Sequence, residues 1–152
     1  MKITYDVALR SFSFDGATSE PYGANLTASL NRHGQVIAFA GLSFGVAVRR
    51  NGVEALNVSF PPGSVVYRST DQDALLAVRV AWLPDEVIAV SVWMTNNGAT
   101  VEGAHSFTVP RPVAPYPSWV WGAGAWEPPL PYPGDGQAYD WDEASGLWVL
   151  AT

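Results

Sequence analysis

A chain of 152 residues is long enough for one domain with a true core, or for a domain and a small appendage. Only 14% of its residues are charged and 48% are apolar, against roughly 25% charged in a typical soluble domain, so little charge is left for a solvated surface. Eight basic and 14 acidic residues give a net charge of −6, which excludes the electrostatic footprint of a nucleic-acid binder, and the lack of cysteine excludes disulfide scaffolds, thiolate metal sites and thiol nucleophiles.

In chain order, the opening Met1-Lys2-Ile3-Thr4-Tyr5-Asp6 has no charged region followed by an apolar run and a cleavage site, so no signal peptide is read there and synthesis in the cytosol is expected. Strands are predicted over residues 25–30, 53–60, 65–69, 75–83, 87–95 and 100–109, which are runs of suitable length, several of them alternating and rich in Val. The apolar run 36–48, interrupted only by Gly41, Ser43 and Gly45, is shorter than the roughly 20 residues that span a bilayer and reads as a buried strand pair. Within 87–95, Ile88, Val90, Val92 and Met94 share the face expected to enter a core. Asn51-Gly52 and Asn97-Gly98 suit primed hairpin turns, whose central residues need positive φ; Pro61-Pro62-Gly63 and residues 83–86 mark two further turns. The pattern predicts an all-β fold, an antiparallel β-sandwich of immunoglobulin-like or jelly-roll-like type.

Composition changes after Arg111, the last basic residue. Eight of the 12 prolines lie between Pro110 and Pro133, and five of the seven tryptophans between Trp119 and Trp148. Proline at 110, 112, 115 and 117 can neither continue a helix nor sit inside a sheet, so residues 110–117 read as an extended linker between a β-sandwich domain, 1–109, and a Pro/Trp-rich module, 118–152. The module contains a near-repeat: Pro115-Tyr116-Pro117 returns as Pro131-Tyr132-Pro133. Each copy leads into an aromatic strand, a Gly-containing turn and a second strand with tryptophan, which predicts two hairpins packed through Trp, Tyr and Pro.

Pro-Tyr-Pro-Ser-Trp at 115–119, Trp126-Glu127-Pro128-Pro129, Pro131-Tyr132-Pro133, Asp135-Gly136, Tyr139 and Trp141-Asp142-Glu143 with Trp148 resemble a short C-terminal module of tailed-bacteriophage structural proteins, the tail assembly chaperone type. The resemblance covers residues 115–149. It implies a phage or phage-derived particle as the setting, with a virion location, other virion proteins and further copies of the chain as partners, and production in the host cytoplasm.

The candidate binding residues are Trp119, Trp121, Trp126, Trp141 and Trp148 with Tyr116, Tyr132 and Tyr139. Two readings stand side by side. Their rings form the core of the module and an interface with a protein partner, or their exposed faces stack on the sugars of a host-surface polysaccharide with carboxylates nearby. Asp135, Asp140, Asp142 and Glu143 fit no EF-hand spacing and sit where a turn carries solvated charge; no metal site and no cofactor is expected from them. His33 and His105 have no Asp, Glu or Cys at ligand spacing and read as surface or turn residues, and Arg49 and Arg50 read as a solvated hairpin tip. No Ser-His-Asp elbow or phosphate loop appears, and no enzymatic activity is expected. Three roles follow: a structural virion component at the tail or on the capsid exterior, a glycan-binding attachment protein, or a transient chaperone of tail assembly.

Overall fold

The computed structural model describes residues 1–16, 22–31, 33, 41–60 and 74–152, and no α-helix occurs among them. The chain divides into two compact units, Met1–Arg111 and Pro112–Thr152.

Among the described residues the first unit is a β-sandwich of two four-stranded sheets. One sheet holds β1 (Lys2–Asp6), β2 (Ser11–Asp15), β3 (Ala24–Asn31) and β6 (Ala74–Val80) in the order β2-β1-β3-β6. The other holds β4 (Leu42–Arg50), β5 (Val53–Phe60), β7 (Val87–Asn96) and β8 (Ala99–Thr108) in the order β5-β4-β7-β8. Alternation along the strands puts Ile3, Tyr5, Leu26, Ala28 and Leu30 of the first sheet into one core with Phe44, Val46, Val48 and the predicted Ile88, Val90, Val92 and Met94 of the second. The sheets meet closely where Phe12 covers Gly103: a Cβ on residue 103 would stand 2.8 Å from that of Phe12.

Both Asn-Gly turns are primed, with φ of 49° and 83° at Asn51 and Gly52 and 48° and 84° at Asn97 and Gly98. They fix the registers Arg50↔Val53 and Asn96↔Ala99. The Asn51 turn is also tied sideways, because Val87 N donates to Asn51 Oδ1 (2.8 Å) and Asn51 N donates to Val87 O (2.8 Å). At the same end Arg50 grips Glu86 through Nε (2.9 Å) and Nη2 (2.8 Å), so Arg50 is an internal clamp rather than a solvated tip.

The structure departs from the sequence expectations in several places. β1 and β2 were not predicted; each offers only two inward residues, too few to register against a background of longer runs. One pairing is parallel, β1 with β3, in an otherwise antiparallel first sheet. The physical reason is the β1–β2 hairpin: β2 returns the chain to the end where β1 began, so β3 starts there and runs alongside β1. The described part of the 36–48 run is a single strand that continues to Arg50. The predicted strand 65–69 and the Pro61-Pro62-Gly63 turn lie outside the described residues.

The second unit consists of two hairpins, β9 (Val120–Gly122) with β10 (Ala125–Glu127) and β11 (Tyr139–Asp142) with β12 (Leu147–Leu150). Trp121 stands opposite Trp126 and Trp141 opposite Trp148, as the repeat implied. The unit begins at Pro112, so residues 112–117, expected as linker, are part of it: Trp126 Nε1 donates to Pro112 O (2.8 Å), and Tyr116 packs on Trp119. Residues 112–117 form no strand, so that carbonyl lies outside any ladder and the indole N–H takes it up.

Candidate functional site

The eight aromatic candidates fall into two groups inside the second unit. Trp119, Trp141 and Trp148 meet edge to face in a triangle, with centroids 5.2 to 6.4 Å apart. Tyr132 adds its ring to Trp148 at 4.9 Å and to Tyr139 at 6.0 Å, and Tyr116 lies 5.5 Å from Trp119. Trp121 and Trp126 pair across the other hairpin at 5.2 Å. Edge-to-face pairs of this kind contribute about 0.5–1.5 kcal/mol each beyond their burial. Trp141 is 5% exposed, and the other tryptophans of the unit are half-buried.

The indole N–H groups show what the rings are tied to. Trp141 Nε1 donates to Glu143 Oε2 (2.9 Å) and Trp148 Nε1 to Leu130 O (3.0 Å). Glu143 also accepts from Ser118 N and Ser118 Oγ, both at 2.9 Å, so one carboxylate joins the segment before β9 to the β11–β12 hairpin. The Tyr132 hydroxyl donates to Gln137 O (3.1 Å) and accepts from Tyr139 N (2.9 Å). Trp119 Nε1 is the exception, a buried donor with no hydrogen-bond partner among the described residues.

The acidic residues near the aromatics serve the same local geometry. Asp135 accepts from the Tyr139 hydroxyl (2.7 Å) and from Gln137 N, which hold its carboxyl below the ordinary value, and the same contact pushes the Tyr139 hydroxyl up. Asp142 accepts from Ser145 Oγ (2.6 Å) and from Ala144 N, and its pKa is likewise lowered, first by the Ser145 hydroxyl. Among the described residues no group of three or more His, Asp or Glu side chains is placed to hold a metal ion.

In the first unit both histidines have partners that sequence spacing did not show. His33 Nε2 lies 2.8 Å from Asp6 Oδ2, an acid 27 positions away, and the half-buried His105 stacks on Phe14 at 5.3 Å. Asp6 is held below its ordinary value, chiefly by Leu9 N and then by His33. A cavity of about 490 Å³ beside the Asn97-Gly98 turn is lined by Tyr5, Leu30, Leu42 and Met94 with Arg10 at its edge; burial pushes the Tyr5 hydroxyl up. A second opening, on the outer face of β7 and β8, lies against Trp93 and Glu102, neither of which the sequence pattern singled out. The signal was present: Trp93 is the large residue on the outward side of an otherwise small-residue alternation, Ala89-Val90-Ser91-Val92-Trp93.

Compared with known proteins, the chain matches no family model, no curated protein and no solved structure.

Proposed function

We propose that the chain is a non-enzymatic structural component of a tailed-phage or phage-like virion, a tail-associated accessory or capsid decoration that acts through protein–protein interfaces. The observation that carries this reading is the outward side of the two hairpins of the second unit. With tryptophans turned inward, Val120 is left 67% exposed opposite Glu127, and Leu147, 52% exposed, stands opposite Asp142 with Val149 next to it on the same face. Exposed aliphatics edged by carboxylates have the anatomy of an interface with an apolar centre and a polar rim. The sparse charge of the whole chain points the same way, and the residues of the phage-module resemblance, Ser118, Trp119, Trp141, Glu143 and Trp148, are the ones that hold this unit together. The mutual packing of the rings supports a core role for them over a sugar platform in this unit.

The test is mass spectrometry of particles purified from cells that produce the protein. Stoichiometric copies in finished particles support the structural role. Presence in assembling lysates with absence from finished particles overturns it in favour of a transient chaperone.

A further inference from the structure

We propose that the outer face of the second sheet binds a neutral sugar residue of a polysaccharide, with Trp93 as the stacking surface and Glu102 as the hydrogen-bond acceptor. The argument begins at Gly45, which is buried although it lies on the outward side of β4. A Cβ on residue 45 would fall inside the Trp93 indole, so the ring occupies the place of the missing side chain. The registers align Ser59, Gly45, Trp93 and Glu102 in one row across the sheet, and Asn57, Ala47, Ser91 and Ala104 in the next. Rows on one face are two residues apart, about 7 Å, which is the width of a pyranose ring. An open groove of about 340 Å³ is lined by Ser91, Val92, Trp93, Glu102, Gly103 and Ala104.

The chemistry of this groove selects its occupant. Neither the Trp93 indole N–H nor the Glu102 carboxylate pairs with another described residue, and Trp93 is the only aromatic side chain on the outward side of the four strands. No basic residue lines the groove and the chain carries a net charge of −6, so an anionic ligand is disfavoured. A pyranose offers a C–H face for the indole and hydroxyls for Glu102 and Ser91, and it needs the low floor that Gly103 and Ala104 supply. A cationic side chain would satisfy Glu102 and the ring but leave that floor and the Ser91 hydroxyl unused. The inference stands apart from the virion reading, since it rests on the first unit alone.

The full chain, labelled with ¹⁵N, is titrated with maltohexaose, cellohexaose, mannohexaose and N-acetylchitohexaose. With at least one of them the indole N–H resonance of Trp93, identified by its loss in Trp93→Phe, is expected to shift saturably while those of the other tryptophans stay in place. Affinity should drop about tenfold or more in Trp93→Ala and in Ala104→Arg, which keeps the indole but obstructs the groove, and about threefold in Glu102→Ala. Unchanged backbone spectra away from the groove show that the variants fold. No shift with any of the four, a shift confined to the tryptophans of the second unit, or a shift produced by oligolysine and by no saccharide would each overturn the proposal.

Discussion

Glu143 shows how one side chain can organise a small unit. Its carboxylate receives three N–H or O–H groups, from Ser118 N, Ser118 Oγ and Trp141 Nε1, and Ser118 lies 25 positions away in the chain. Glu143→Ala leaves the buried Trp141 donor without a partner and is expected to destabilise the second unit by about 1–3 kcal/mol, read by loss of near-ultraviolet ellipticity on heating. Tryptophan-to-phenylalanine changes separate packing from hydrogen bonding. Trp141→Phe loses ring area and the Glu143 bond, whereas Trp119→Phe removes a donor that has no partner to lose, so thermal denaturation should rank Trp119→Phe as the milder of the two. The cross-strand tryptophan pairs were legible in the sequence because repeat spacing and glycine turns place them. Glu143 was not, since a carboxylate in a turn next to Asp142 reads as solvated charge until the fold brings Ser118 beside it.

Among the elements, the two hairpins of the second sheet were the most legible, because Asn-Gly between alternating apolar runs specifies both turn type and register. Gly98 sits at φ 84° with open space where a Cβ would stand, so Gly98→Ala costs only backbone strain. Chemical denaturation should show a loss of about 1–2 kcal/mol. The sandwich and the inward face of β7 were equally readable from alternation. Short strands such as β1 and β2 were not, and neither was the parallel β1–β3 pairing: pairing direction depends on which end of a hairpin the chain leaves from, and no local residue pattern encodes it. The Trp93 groove was hidden for a related reason, since Gly45, Trp93 and Glu102 become neighbours only through the order β4-β7-β8.

Across the whole molecule, acid behaviour follows from four carboxylates among the described residues. Asp6, Asp135 and Asp142 lie below the ordinary 3.8, and Glu86, bonded by Arg50, lies below 4.5. Each folded value is below its unfolded one, so each contributes stability that is complete above the unfolded value and is lost as pH falls through the folded one. Tyr5 and Tyr139 are raised above 10.0, so their contribution is complete below that pH and is lost as pH rises through their folded values. The melting temperature should therefore be level from neutral pH down to about 4.5 and decline below it. A decline that begins near the ordinary histidine range of about 6.5 would contradict this assignment.

The strand orders also imply a sequence of events in time. The second sheet consists of two hairpins closed by two-residue turns and needs one long-range step, the docking of β4 on β7. The first sheet has one local hairpin and needs two pairings beyond it, β1 with β3 and β3 with β6, so β3 has no hairpin partner and forms only after loops longer than a two-residue turn have closed. Pulsed hydrogen exchange during refolding should find β7 and β8 amides protected before those of β3. A polypeptide caught midway would then be half a sandwich, its finished sheet carrying the Trp93 face on one side and on the other a bare row of valines waiting for the strands that complete the core.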